Sequence, residues 1–277
     1  MGIGDDIVST SIAKRAFQKV NAPVCIGDGS EVQWSPVFEN NPKIARSPYP
    51  GCLWLHCYKG HRPYIADRTP ERFVYKPDFK AEPGEIYFSD AERKLWPEYD
   101  YPFILIEPNV KNVPFSKNKA WPIERWQAVV DELKDYRFVQ MKTGKHKLQG
   151  VSLVGSPGIR HGFAMVARAA LFLGTDGALH HAAAALGKPA VVLWGGLASP
   201  KNLGYDSHVN LHAGSKPCGT LMPCLHCKYE MEKITVEMVV AAVRKEYERV
   251  RSGIVEGRSE GRSVIAETGH QAEVQQA

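Results

Sequence analysis

Short apolar runs without polar alternation punctuate the second half of the chain, and they predict strands that are buried on both faces of a sheet. They occupy residues 103–106, 170–173 and 190–194, and residues 137–141 are another predicted strand. Between the last two runs, residues 179–186 are rich in alanine, which favours a helix, and Gly187 and Pro189 end it. The order strand, turn, helix, strand predicts an α/β fold with a parallel sheet.

Apolar positions at helical spacing predict four more helices. The first follows a glycine-rich turn at residues 1–6, and the second starts at Trp121 with a proline in its first turn. A third helix leads into the strand at 170–173, and Thr235 caps the fourth. In the first half of the chain, the segments that read as strands are 24–27 and 52–58.

The composition changes twice along the chain. Residues 83–102 are polar and rich in proline, which indicates a domain boundary. We therefore expect an N-terminal α/β domain at 1–96 and a C-terminal α/β domain at 97–251. Residues 252–277 are polar, lack aromatic side chains and show no sustained period, so they predict a disordered tail.

The overall composition narrows the class of protein only slightly. A chain of 277 residues can form one large or two small domains, and 44% hydrophobic with 23% charged residues is ordinary for a soluble globular protein. The formal net charge of +5 favours anionic ligands mildly. No apolar run approaches the ~20 residues that span a bilayer, and no signal-peptide pattern is seen, so we expect a cytoplasmic protein.

The start of the alanine-rich helix is a candidate anion site. A helix in such a unit begins beside the carboxyl ends of the strands, where its unpaired N–H groups and its dipole attract phosphates. Thr175, Asp176 and His181 could there meet the sugar or the phosphates of a nucleotide. The alternative is a capped helix with two incidental histidines, and the pattern alone does not separate the two.

Two other segments carry candidate chemistry. The loop after the strand at 103–106 holds Lys111, Lys117 and Lys119 just ahead of a helix, where a lysine can meet phosphate, although a solvated lysine has the same pattern. Cations and aromatic residues alternate over residues 54–80, which is typical either of a solvated surface or of an acceptor site that stacks sugars or bases. The acceptor-side candidates are Lys59, His61 and Arg62.

Several motifs together resemble glycosyltransferase family 9, the heptosyltransferase-like enzymes. They are GTDGALHH at 174–181, AAALGKP at 183–189, WGG at 194–196 and KAWP at 119–122. That family has the GT-B fold, in which two doubly wound parallel-sheet α/β domains face each other across a cleft and the C-terminal domain holds the sugar nucleotide. The resemblance implies this fold here, with a reduced N-terminal domain.

The resemblance also implies roles for individual residues. Gly4 and Asp5 match the Gly-Asp pair of the family, whose aspartate is the proposed general base, with Asp6 as the fallback. The lysine of KAWP matches one that binds the donor diphosphate. The family has a strand before this Gly-Asp turn, so that strand either is absent or lies upstream of Met1. The expected donor-binding residues are Lys119, Thr175, Asp176, Gly177 and His181.

The cysteines raise the question of a metal. Six cysteines in a chain of this size do not indicate a disulfide scaffold. Cys218, Cys224 and Cys227 offer three soft ligands for a structural zinc ion, whereas such sites usually have four. Reduced thiols or a local disulfide are the alternatives, and the resemblance implies no metal in catalysis. The candidates for a fourth ligand are His212, His226, Cys25, Cys52 and Cys57.

The working hypothesis is transfer of a sugar from a nucleotide-diphosphate donor to an acceptor hydroxyl, with inversion, as the resemblance implies. A nucleotide sugar is then the partner in the donor site. We expect the acceptor to be a bacterial glycan, such as the lipopolysaccharide core or another lipid-linked glycan. A modified base in nucleic acid is the less favoured acceptor. The alternatives are a sugar-nucleotide epimerase of the same fold and a catalytically inactive nucleotide-sugar-binding protein. The oligomeric state is not encoded in any pattern we recognise.

Overall fold

The computed structural model describes residues 2–58 and 60–265. Its helices are α1 (Ile3–Val20), α2 (Asp90–Arg93), α3 (Ile123–Glu132), α4 (Ile159–Arg168), α5 (Ala178–Ala185), α6 (Pro200–Leu203), α7 (Leu225–Glu232) and α8 (Val236–Ile265). Its strands are β1 (Cys25–Ile26), β2 (Trp54–Leu55), β3 (Ile65–Arg68), β4 (Phe73–Tyr75), β5 (Ile104–Glu107), β6 (Phe138–Met141), β7 (Ser152–Val154), β8 (Leu171–Thr175), β9 (Ala190–Trp194) and β10 (Val209–His212). Two 3₁₀ helices cover Pro36–Phe38 and Pro114–Lys119.

A six-stranded parallel sheet in the order β10-β9-β8-β5-β6-β7 forms the centre of the fold. The chain builds β5, β6 and β7 outward in one direction and then returns to place β8 on the other side of β5. The strand order therefore reverses between β5 and β8. In open α/β sheets, ligands bind outside the carboxyl ends of the strands at such a switch point.

The strands are buried on both faces because helices cover the sheet on either side. Ile104 and Ile106 face α3 and α8, whereas Leu105 points to the opposite face, which α4 and α5 cover. This alternation follows from the two-residue period of a strand, and the buried faces explain why most residues of these strands are apolar. The predicted α/β fold with a doubly wound parallel sheet is confirmed.

Helix α5 is rich in alanine because it is packed on two sides. Ala183 and Ala184 contact the core above the sheet, and Ala182 belongs to a separate core that includes α1. Small side chains let the backbones of neighbouring elements approach closely. As a result, the first turn of α1 lies directly against the first turn of α5.

The N-terminal half has little regular structure, in agreement with the predicted reduction. Strands β1 and β2 form a two-stranded parallel sheet, and β3 and β4 form a separate antiparallel pair. Both strands predicted in this half exist, although each is only two residues long. The division into domains at 96/97 stays a prediction.

Three features of the fold differ from the sequence-based expectation. Helix α1 begins at Ile3, so Asp5 lies in its first turn and not in a preceding turn, because a carboxylate there interacts favourably with the helix dipole. Strands β3, β4, β7 and β10 and helices α2, α6 and α7 were not predicted, since none of them carries a long apolar run. Helix α8 continues to Ile265, past the expected start of a disordered tail at Ser252, because no proline interrupts it; residues 266–277 lie outside the described residues.

None of the helices in residues 2–58 and 60–265 combines the length and the apolar character required to cross a membrane.

Candidate active site

Lys119 and Asp176 meet at the switch point of the sheet. Lys119 ends the 3₁₀ helix that follows β5, and Asp176 links β8 to α5. The Nζ atom of Lys119 lies 2.7 Å from Oδ2 of Asp176 and also donates to its backbone oxygen at 3.2 Å. The two elements on either side of the strand reversal thus hold the predicted lysine beside the predicted helix start.

Asp176 is buried and carries its charge there. Burial alone would raise the pKa of this carboxyl, but the charge of Lys119 and the two neighbouring histidines more than compensate and lower the pKa to about 2. The first turn of α5 has no side chain capping its N–H groups among the described residues. A lysine cation and free backbone donors therefore converge at one point, which is the arrangement that binds phosphate.

The two histidines of α5 are buried and differ in their partners. His180 contacts the backbone oxygen of Leu203 through Nε2, while its Nδ1 lies near the backbone of Gly177. His181 places Nδ1 2.7 Å from the hydroxyl of Tyr205, so its Nε2 is directed toward Asp176, 3.9 Å from Oδ1. Burial lowers the pKa of His181 to about 4 and the pKa of His180 well below 6.5, so both rings are neutral at pH 7.

Gly4 brings the N-terminus of α1 to this site. A Cβ atom at Gly4 would lie 2.8 Å from Cδ2 of His181 and 3.6 Å from Cα of Ala178. Only glycine allows this approach, since real Cβ contacts are longer. Asp5 therefore directly follows, in sequence, the residue that packs against His181.

Three donors hold the carboxylate of Asp5. The backbone N–H of Gly2 and Nε of Arg62 both donate to Oδ2 at 2.9 Å, and the hydroxyl of Tyr64 donates to Oδ1. The bond from Gly2 is half of a helix capping box and gives Asp5 a structural role as well. Burial, followed by the charge of Asp5, raises the pKa of Tyr64 well above 10.0, so its phenol stays protonated and donates.

The partners of Asp5 pack on aromatic rings of β4. The guanidinium of Arg62 lies over the ring of Phe73 at 4.6 Å, and the ring of Tyr64 stacks on that of Tyr75 at 6.2 Å. Burial, with the charge of Asp176 next, raises the pKa of Tyr75. Arg62 and Tyr64, which precede β3, thus bond to Asp5 and pack on the two aromatic rings of β4.

The remaining predicted residues have different outcomes. Thr175 is buried at the end of β8, and Gly177 precedes the first residue of α5. His61 is exposed and packs on the ring of Tyr58, away from Asp5, and Lys59 lies outside the described residues. The fallback base Asp6 is buried and accepts a 2.7 Å bond from Ser35, and burial raises its pKa to about 6.

Sequence reasoning missed the partners that fix these residues. Tyr205 lies just after α6 and is buried under His181, to which its hydroxyl bonds. Tyr64 was one of many rings in the basic stretch, with no signal that it would meet Asp5. Asn118 had no signal beyond its position next to Lys119, although it bonds to the cysteine-bearing segment at Met222 and Cys224.

The three clustered cysteines lie close to the same edge of the sheet. Cys218, Cys224, His226 and Cys227 place one potential ligand atom each within 4.8 Å of one another. Of the proposed fourth ligands, His226 is therefore the one that joins the cluster. Two surface depressions lie on α7, where His226 lines one of about 550 Å³, and beside α8, where the other has about 670 Å³. Neither of them includes Asp5, Lys119 or His181.

Replacing Gly4 by alanine should separate α1 from α5. Although helix propensity favours alanine by up to about 1 kcal/mol, the new Cβ would overlap the ring of His181, which Tyr205 holds in place. We expect a lower melting temperature. Gly162→Ala is the matched control, because a Cβ at that helical glycine meets Leu179 at an ordinary 3.7 Å. If both variants were as stable as the parent chain, the close packing of α1 on α5 would be wrong.

The buried histidines predict a loss of stability in acid. His181 has a pKa of about 4 in the folded chain against 6.5 when exposed, and burial lowers that of His208 to about 3. The unfolded chain binds these protons first, so the free energy of unfolding should fall as the pH drops from 6.5 to 4, by about 3 kcal/mol for His181 alone. Urea titrations at several pH values measure this.

His208→Phe provides the control for that titration. Both ring nitrogens of His208 are buried without a hydrogen-bond partner in the described part of the chain, so phenylalanine removes a titrating group and breaks no bond. The variant should show a shallower loss of stability in acid. An unchanged slope would contradict the buried, neutral state of this histidine.

The parallel sheet with helices on both faces defines a class of protein, the α/β proteins of GT-B fold. The sequence model of glycosyltransferase family 9 (heptosyltransferase) matches residues 74–218, just over half of the 277 residues. The chain belongs to glycosyltransferase family 9. No curated protein sequence matches it.

A solved structure of the family has the same fold, and two others are similar to part of the chain. The family 9 glycosyl transferase of Veillonella parvula DSM 2008 is 15% identical, with a TM-score of 0.60 over 90% of this chain and 95% of that one. The ADP-heptose lipopolysaccharide heptosyltransferase II of E. coli is 16% identical over 65% of this chain, with a TM-score of 0.45, and the chain spans 56% of its length. The iron-containing dodecameric glycosyltransferase TibC of enterotoxigenic E. coli H10407 is 14% identical, with a TM-score of 0.42 over 65% of this chain and 50% of that one.

Proposed function

We propose that this chain transfers a sugar from a nucleoside-diphosphate donor to a hydroxyl group of an acceptor, with inversion at the anomeric carbon. The observation that supports the proposal is the contact of Gly4 with His181, because Asp5, the next residue, is then near the first turn of α5, the proposed anion site. A family 9 enzyme needs both groups at one reacting centre.

On the donor side, Lys119 and the first turn of α5 would bind the diphosphate. The cation and the helix N-terminus offset the negative charge that grows on the departing phosphate, so they act more strongly in the transition state than in the ground state. Asp176 is bonded to Lys119, and its negative charge would repel a phosphate at close range. We therefore infer that Asp176 positions Lys119. His181 would contact the donor through Nε2, since its Nδ1 is bonded to Tyr205.

On the acceptor side, Asp5 would take the proton. A carboxylate has about four lone-pair positions, and Gly2, Arg62 and Tyr64 use three of them. Oδ2 receives two of these bonds and Oδ1 only one. The position left for the hydroxyl of an acceptor is thus on Oδ1, and Arg62 and Tyr64 act as positioning residues.

The bonds then change in one step. The acceptor oxygen forms a bond to the anomeric carbon as its proton passes to Asp5, and the bond from that carbon to the diphosphate oxygen breaks with its electron pair leaving on the phosphate. This step needs no metal ion. The stacked rings of Tyr64 and Tyr75 offer an apolar surface on which a sugar can pack. We place a glycan or a lipid-linked glycan in the acceptor position, in preference to nucleic acid.

A ligand screen followed by product analysis tests the proposal. The melting temperature is measured with ADP, GDP, UDP and CDP, since a ligand that binds the folded chain raises it. The corresponding nucleotide sugars are then incubated with and without glycan acceptors. Release of nucleoside diphosphate that requires an acceptor supports transfer. Conversion of the donor alone would indicate an epimerase, and binding without turnover would indicate an inactive binding protein; both would overturn the proposed reaction.

A further inference from the structure

We propose that Cys218, Cys224, His226 and Cys227 bind a zinc ion. This ion fixes residues 218–224, the segment that connects the β3–β4 pair to the helix of Lys119. The cluster lies outside the residues to which the reaction is assigned. The effect of the ion on the reacting groups rests on the proposed function, whereas the metal site itself does not.

The geometry fits a tetrahedral ion. The sulfur of Cys218 lies 3.2 Å from that of Cys227 and 4.0 Å from that of Cys224, and all four ligand atoms lie within 4.8 Å of one another. Zinc with bonds of about 2.3 Å to sulfur separates two thiolates by about 3.8 Å. A disulfide requires about 2.05 Å, and all six cysteines are free. Three thiolates and one imidazole also form a common ligand set of structural zinc sites.

The local fold explains how the four ligands converge. Cys224 is the residue before α7, and Cys227 lies one turn further on, so both face the same side of this helix. His226 lies against Gly196, at which a Cβ atom would be only 2.6 Å from Nδ1 of the histidine. Cys218 is fixed by its backbone N–H, which donates to the oxygen of Gly196 at 2.8 Å.

The segment from Cys218 to Cys224 bonds to β4 and to the turn that precedes it. The N–H of Phe73 donates to the oxygen of Gly219 at 2.8 Å, and the N–H of Leu221 donates to the oxygen of Glu71 at 2.8 Å. Phe73 is the ring on which Arg62 lies. A shift of the segment would therefore move the guanidinium that holds Asp5.

The same segment bonds to the helix that carries the donor lysine. Asn118 donates to the oxygen of Met222 at 2.8 Å, and its Oδ1 accepts the N–H of Cys224 at 2.9 Å. Lys119 is the next residue. Because one short segment is joined to both sides of the site, an ion that rigidifies it would fix the lysine relative to the carboxylate.

Metal content provides the first test. The full chain is produced in medium supplied with both zinc and iron, and metals are measured by mass spectrometry. We expect about one zinc per chain, and near zero for Cys218→Ser and Cys227→Ser. The matched control Cys52→Ser removes a thiol outside the cluster and should keep the metal. Gly196→Ala should also lose metal, because the new Cβ displaces His226 although the sequence keeps all four ligand residues. Metal-free parent chain, or a Cys218–Cys227 disulfide in its mass spectrum, would overturn the site.

Hydrogen exchange tests the connection without requiring any nucleotide. After zinc is removed by a chelator, amides of residues 71–75 and 113–119 should exchange at least about tenfold faster, those of β5 and β6 should be unchanged, and added zinc should restore the parent rates. Equal rates with and without zinc would overturn the coupling. Because neither measurement involves turnover, a chain that binds zinc but transfers no sugar would contradict the proposed function and leave this inference standing.

Discussion

Asp5→Asn is expected to lower the rate of sugar transfer by about 10²- to 10⁴-fold and to leave the affinity for the nucleoside diphosphate unchanged. Asparagine keeps the size of the side chain and one oxygen for the bonds from Gly2 and Arg62, but it cannot accept a proton from the acceptor at neutral pH. Turnover is measured as acceptor-dependent release of nucleoside diphosphate, and binding is measured by calorimetry. The loss should appear in kcat, because Asp5 acts on the reacting proton and not on the donor.

The structural role of Asp5 makes a control necessary. The carboxylate caps the first turn of α1, so the melting temperature of the variant must be compared with that of the parent chain. Asp6→Asn is the matched variant, because it alters the next carboxyl, which faces Ser35 in the core. Full activity of Asp5→Asn in a folded chain would remove Asp5 as the base, and a loss confined to Asp6→Asn would transfer the role to its neighbour.

Tyr64→Phe distinguishes positioning from proton transfer at the same carboxylate. It removes one donor from Oδ1 and keeps the ring that stacks on Tyr75. Because Asp5 keeps its proton-accepting oxygen, we expect a smaller loss in kcat than for Asp5→Asn, on the order of tenfold. A loss as large as that of Asp5→Asn would mean that the hydroxyl itself takes part in the proton transfer.

Local patterns predict the donor side of the site well, and the reason is topological. Lys119 and Asp176 each follow a buried strand, and the carboxyl ends of parallel strands lie at one edge of a sheet. Once the two strands are neighbours, as β5 and β8 are, the lysine and the aspartate must approach each other. The short apolar runs therefore predict which loops lie at this edge, whereas the choice of Lys119 over Lys111 and Lys117 came from the resemblance of KAWP to family 9.

The acceptor side depends on contacts that no local pattern encodes. Arg62 and Tyr64 bond to Asp5 across 57 and 59 residues, and Tyr205 bonds to His181 across 24. Such pairs are fixed by the packing of α1 on α5 and of the β3–β4 pair beside them. The basic, aromatic stretch indicated an acceptor site in general terms, but a cation with a carboxylate partner and one in solvent look alike in a sequence.

Lys119→Met is expected to weaken binding of the nucleoside diphosphate by about 10- to 100-fold and to destabilise the chain by about 3 kcal/mol. The two effects have different causes. Affinity falls because the cation that meets the phosphates is gone. Stability falls because Asp176, only 8% exposed in its side chain, loses the partner 2.7 Å away that offsets the cost of burying its charge. Calorimetry measures the first effect and urea titration the second.

The pH dependence of stability tests whether the buried carboxylate of Asp176 causes the loss of stability in Lys119→Met. In the parent chain the pKa of Asp176 is about 2, against 3.8 when exposed, so the ion pair contributes fully above about pH 4 and is lost as the pH falls toward 2. In Lys119→Met, burial favours the neutral carboxyl, so Asp176 binds a proton already in mild acid. The difference in stability between parent and variant should therefore be largest at neutral pH and should shrink as the pH is lowered.

A double variant separates the two roles of the lysine. Lys119→Met combined with Asp176→Asn replaces the buried ion pair with neutral side chains, so much of the lost stability should return, as it does when both partners of a buried pair are replaced. The affinity for nucleoside diphosphate should stay low, because no cation faces the phosphates. Recovery of binding together with stability would show that the lysine only supports the fold, and the diphosphate would then have to bind elsewhere than at the start of α5.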